Sequence, residues 1–82
     1  MPGFWMYETS GVLRPAVEAY LNGKAMTPDQ IGAMRAYLRQ WIEGPWQGPG
    51  IAPLRAAIDT ITDRASLSVW LDEAAEADID PL

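Results

Sequence analysis

Cysteine and histidine are both missing from this chain of 82 residues. Without cysteine there is no disulfide to staple a small fold and no thiolate chemistry, and the simplest expectation is a cytoplasmic setting. Without histidine no side chain has an unperturbed pKa near neutrality, so a general base would require a strongly shifted carboxylate or lysine. Zinc, copper and haem sites lose their usual imidazole and thiolate ligands. An all-oxygen site for calcium or magnesium stays open, but the ending "DIDPL" lacks the glycine and the terminal glutamate of an EF-hand loop. No metal and no cofactor are therefore expected. No apolar run approaches the roughly 18 residues needed to cross a bilayer. The opening "MPGFWMYETSG" lacks the basic and long apolar regions of a signal peptide, so no membrane attachment is expected. Strand signals are absent too: no segment alternates with period two.

What is present reads as helix. Apolar residues make up 49% of the chain, ordinary for a globular protein and too many for a disordered one. The length allows one domain that buries roughly 60% of its unfolded surface. In "AMTPDQIGAMRAYLRQWIEGP", Thr27 suits an N-cap, Pro28 the first helical position and Gln30 the closing residue of a capping box. Ile31, Met34, Tyr37, Leu38, Trp41 and Ile42 share one face, Arg35 and Arg39 lie outward, and Gly44–Pro45 stops the helix. In "SGVLRPAVEAYLNG", Leu13, Val17, Tyr20 and Leu21 form a stripe, Arg14 and Glu18 pair outside it, and Gly23 ends it. "IAPLRAAIDTI" turns Ile51, Leu54, Ile58 and Ile61 inward and Arg55 and Asp59 outward. Thr62 or Asp63 caps "RASLSVWLDEAAEA", whose inner face is Leu67, Trp70, Leu71 and Ala74. The pattern predicts an all-α domain, a small bundle of four short helices near residues 12–22, 28–43, 51–61 and 63–77. An N-terminal arm over 1–10 and an acidic tail over 78–82 flank it.

Aromatic residues sit where periodicity is weakest. Trp46 lies within "EGPWQGPGIAP", among glycines and prolines that turn the chain but supply no apolar area. It serves either as a plug closing the end of the bundle or as an exposed anchor for a partner. Phe4, Trp5, Met6 and Tyr7 precede the first helix with no pattern of their own. Left in water they would form a sticky patch, so they either pack on the helices or dock into a second subunit.

Charge is unevenly distributed. Six acids and six bases cancel through Leu71, and the net charge of −5 comes entirely from Asp72, Glu73, Glu76, Asp78 and Asp80. At helical spacing Asp72, Glu73 and Glu76 surround Val69, opposite Trp70. Acids at a helix C-terminus oppose its macrodipole. They read either as a solvated, solubilising end or as a site for a basic surface, such as one that normally holds nucleic acid.

Several functions are disfavoured on these grounds. In a helix-turn-helix the fourth helix would carry its acids towards phosphates with Arg64 as its only base, and the sign is wrong for direct nucleic-acid binding. No glycine-rich phosphate loop, nucleophile–base pair or metal-ligand cluster marks an enzyme. The stretches "MYETSGVLRPAVEAYLNG", "MRAYLRQWIEGPW" and "DIDPL" resemble short uncharacterised helical proteins of prophages and related mobile elements. That resemblance implies a setting in which small proteins bind host proteins, including inhibitors of defence systems. The main expectation is a non-catalytic module that binds another protein through the acidic C-terminal face or through aromatics. The alternatives are a structural subunit that self-associates as a homo-oligomer and a nucleic-acid mimic using the acidic face.

Overall fold

The computed structural model describes residues 11–44, 50–79 and 82. Among them lie four α-helices, one 3-10 turn and no strand: α1 Leu13–Leu21, α2 Pro28–Glu43, α3 Ile51–Ala57, the turn Ile58–Thr60, and α4 Arg64–Glu76. The domain is therefore all-α, and its radius of gyration of 11.7 Å is that of a compact chain of this length.

The longest helix starts as its residues dictate. Thr27 Oγ1 accepts from the Gln30 N–H at 3.1 Å, and Gln30 Oε1 accepts from the Thr27 N–H at 2.9 Å. This reciprocal pair satisfies two donors that would otherwise be stranded at the helix start. The inner face of α2 is then buried at Ile31, Met34, Tyr37, Leu38, Trp41 and Ile42. Pairwise packing makes α2 the platform: α1, α3 and the 3-10 turn all pack against it, while α4 packs against α3. Leu13, Val17, Leu54, Ile58, Ile61, Leu67 and Trp70 complete a continuous core. Among the described residues both buried indoles find partners, Trp41 donating to Tyr37 Oη at 3.1 Å and Trp70 to the Leu54 carbonyl at 3.0 Å.

Three local features depart from the periodic reading. The third helix ends at Ala57 and tightens into the 3-10 turn, where Thr60 Oγ1 donates to the Ala57 carbonyl at 2.6 Å. A three-residue repeat brings Ile58 and Ile61, both buried, onto one face. Leu21 is 57% exposed rather than part of the inner stripe. It sits one residue past Tyr20, about 100° further around the helix, and the chain turns away at Gly23. The segment after α4 is also no purely solvated tail, because Ile79 is buried and Leu82 half-buried against the core.

Arginines close the ends of these short helices. The C-terminus of α1 forms a Schellman turn: Gly23 is left-handed with φ of 70°, and the Lys24 N–H donates to the Ala19 carbonyl at 2.8 Å. From the first turn of α4, Arg64 reaches back over that end. Its guanidinium donates to the carbonyls of Tyr20 at 2.6 Å and Lys24 at 2.9 Å and stands 4.7 Å from the centre of the Tyr20 ring. A cation at the negative end of a helix is favourable, and the planar fork satisfies two carbonyls at once. Arg35 donates to the Ile61 carbonyl at 2.6 Å and Arg55 to the Ile42 carbonyl at 3.2 Å. Arg39 pairs with Asp59, an exposed contact worth little by itself.

Replacing Arg64 by Met is expected to lower unfolding stability by about 2 kcal/mol, read as a reduced urea midpoint. Arg64→Lys should recover less than half of that loss, because an ammonium cannot fork between two carbonyls. Full recovery by lysine would show that charge alone holds the two helices.

Candidate functional site

The N-terminal cap sets the start of α4 and so which of its residues face outward. Asp63 accepts from the Ser66 N–H at 2.8 Å, while Ser66 Oγ accepts from the N–H groups of Asp63 at 3.0 Å and Thr62 at 2.9 Å. The Ser66 backbone and then the Ser66 hydroxyl hold the Asp63 carboxyl below its ordinary pKa. With Leu67, Trp70 and Ala74 buried against the core, the helical repeat leaves Val69, Asp72, Glu73 and Glu76 on the outer side. All four are exposed, Val69 by 58%. The residues singled out on the fourth helix therefore share one face, with an aliphatic side chain among three carboxylates.

The packing also explains why these acids are tolerated at the C-terminal end of a helix. α3 and α4 run antiparallel, so Glu73 and Glu76 line the same surface depression as Gly50 and Pro53 at the start of α3. There the carboxylates lie near the positive end of α3, which has no side-chain cap of its own. What opposes one helix favours its neighbour. The two ends approach closely: Gly50 has φ of 86°, and a Cβ built on it would lie 3.0 Å from the Cβ of Ala77.

Beyond Glu76 the chain makes a second Schellman turn, this time with aspartate in the position that usually takes glycine. Asp78 has φ of 60°, its N–H donates to the Ala75 carbonyl at 3.0 Å, and the Ile79 N–H donates to the Ala74 carbonyl at 2.8 Å. This turn folds Ile79 back under the helix, where it is 2% exposed. Periodicity missed it because Asp78 offers no glycine to mark the turn. The available signal was an isolated isoleucine set three residues past Glu76, at the spacing of a Schellman contact.

Trp46, Phe4, Trp5 and Tyr7, and the choice between plug, packing and partner contact for them, lie outside the described residues. Among the described residues no group of three or more acidic side chains converges to hold a metal ion. No helix there is long and apolar enough to cross a membrane. Arg35, Arg55 and Arg64 donate to backbone carbonyls of neighbouring segments, and Arg39 pairs with Asp59 at the surface. The chain matches no protein-family model, no curated protein and no solved structure.

Two outcomes test this geometry. Asp78→Gly relieves a left-handed aspartate and removes an acid from a helix end, and is expected to raise stability by about 0.5 kcal/mol in urea melts. A lowered midpoint would contradict the turn. For Asp63 the folded pKa is depressed, so its contribution is present above the unfolded carboxylate value of about 3.9 and is lost as pH falls through the folded value. Asp63→Asn keeps a capping oxygen but cannot titrate. Melts of this variant should therefore show a shallower loss of stability on acidification than wild type.

Proposed function

We propose that this protein is a non-catalytic binding module that modulates a larger protein through the outer face of α4. The observation that carries the reading is the exposed Val69 among Asp72, Glu73 and Glu76, on a chain whose surplus negative charge lies wholly in its last eleven residues. An apolar centre with a charged rim is the usual layout of a protein–protein contact, the centre supplying desolvation and the rim steering and selectivity. A basic partner surface complements it.

Arg64, the one base on α4, is drawn to the end of α1, so the outer side of the helix keeps its excess of carboxylates. The proposal extends to the partner: the resemblance of "MRAYLRQWIEGPW" and "DIDPL" to small mobile-element proteins would imply a host protein, including a component of a defence system.

Affinity capture from host lysate with the full chain tests the proposal. Wild type should retain a defined protein, and retention should fall as salt rises. The triple variant Asp72→Asn, Glu73→Gln, Glu76→Gln should lose it while keeping its helical circular dichroism. Undiminished capture by that variant rejects the acidic face. Native mass spectrometry giving a salt-resistant homo-oligomer and no captured protein favours a structural subunit instead.

A further inference from the structure

The chain contains a single asparagine, Asn22, and a glycine follows it at the end of α1. An asparagine in that position closes readily to a cyclic imide, because glycine has no Cβ to crowd its backbone nitrogen. Both residues are exposed. Among the described residues no hydrogen bond holds the Asn22 side chain. The space beside Gly23 is open, since an added Cβ there would meet nothing within 4 Å.

The backbone alone resists the reaction. With ψ of 6° at Asn22, the Gly23 nitrogen nearly eclipses the Asn22 nitrogen and lies off the side chain. Ring closure therefore requires rotation about the Asn22 Cα–C bond. The Gly23 N–H is also engaged, donating to the Tyr20 carbonyl at 3.2 Å. That same carbonyl accepts from Arg64 at 2.6 Å, and the guanidinium takes the Lys24 carbonyl at 2.9 Å on the far side of the turn. Arg64 thus fixes both flanks of the segment that must rotate.

We propose that Asn22 is a modification site, deamidated by attack of the Gly23 nitrogen when the end of α1 opens, and that Arg64 sets how often it opens. The Gly23 nitrogen bonds to Asn22 Cγ, the Cγ–Nδ2 bond breaks, and ammonia leaves with the proton from Gly23. Water then opens the imide without any redox change. Breaking the N–Cγ bond gives aspartate; breaking the bond to the backbone carbonyl carbon gives isoaspartate. Isoaspartate lengthens the main chain by a methylene within the Schellman turn, so the Lys24 to Ala19 hydrogen bond and the pair of carbonyls under Arg64 lose their register.

The test incubates the purified full-length chain in mildly alkaline buffer and follows intact mass, with the tryptic peptide ending at Lys24 resolved into aspartyl and isoaspartyl forms. Wild type should convert slowly at Asn22, and faster in urea. Arg64→Met, checked for helical circular dichroism, should speed conversion about tenfold through a larger open population. Arg64→Lys takes its place if the methionine variant does not fold. Thr27→Ala loosens the start of α2 instead and should stay near the wild-type rate. Asn22→Gln would need a larger ring and should not convert. The aged isoaspartyl protein should melt at lower urea than Asn22→Asp, which adds the charge without the extra methylene. Wild type as inert as Asn22→Gln overturns the site. Equal acceleration by Arg64→Met and Thr27→Ala, or none by either, overturns control by Arg64.

Discussion

Short helices do not hold themselves in water, and that constraint governs the rest of this molecule. α3 and α1 have seven and nine residues, α4 thirteen and α2 sixteen. Isolated helices below about 12–15 residues are marginal, so each persists by giving its apolar face to a shared core. α2 supplies the surface on which that core is assembled. With no disulfide to restrict the unfolded chain, burial and hydrogen bonding carry the whole load.

A helix of seven residues is nearly all ends, and ends carry unsatisfied backbone groups. Several of them are satisfied by side chains and turns. Thr27 and Asp63 accept from the first N–H groups of α2 and α4. Schellman turns close α1 and α4, and Arg64 and Arg55 donate to carbonyls in the last turns of α1 and α2. These long-range arginine contacts join segments far apart in sequence, so they fix how helices sit relative to one another as well as satisfying their termini. Half-buried guanidinium groups suit this work because they bridge two acceptors without giving up their charge.

The acidic end of α4 follows from the same antiparallel arrangement. Carboxylates that are unfavourable at the end of their own helix lie beside the start of another, and they remain solvated there. A structural reason for Glu73 and Glu76 does not compete with the proposed binding role, since both carboxylates stay exposed to water. Val69, among the three acids, makes no comparable contribution to the core. An exposed aliphatic residue at the centre of a charged face is the element that packing does not account for, and it directs the functional reading to this surface.

Much of this was legible along the chain. Thr27, Pro28 and Gln30 define the start of α2 through contacts spanning three residues, and the buried stripe from Ile31 to Ile42 follows from helical spacing alone. The outer grouping of Val69 with Asp72, Glu73 and Glu76 is likewise set by the repeat of one helix. The left-handed turn at Asp78 was less visible, because aspartate at that position is uncommon and Ile79 is drawn under the helix by burial rather than by local preference. Leu21 matched the apolar pattern yet stays outside, since a stripe records composition and cannot say where the neighbouring helix stops.

The sequence by itself determined the helical class, most helix boundaries and the acidic face, because these depend on residues within a few positions of one another. Only the tertiary structure decided that Arg64 closes α1, that Glu73 and Glu76 lie beside the start of α3, and that Leu21 borders a depression with Leu71 and Leu82. Those pairings join residues as much as 61 positions apart, from Leu21 to Leu82. They are set by how faces of limited apolar area pack together, a choice that local spacing does not encode.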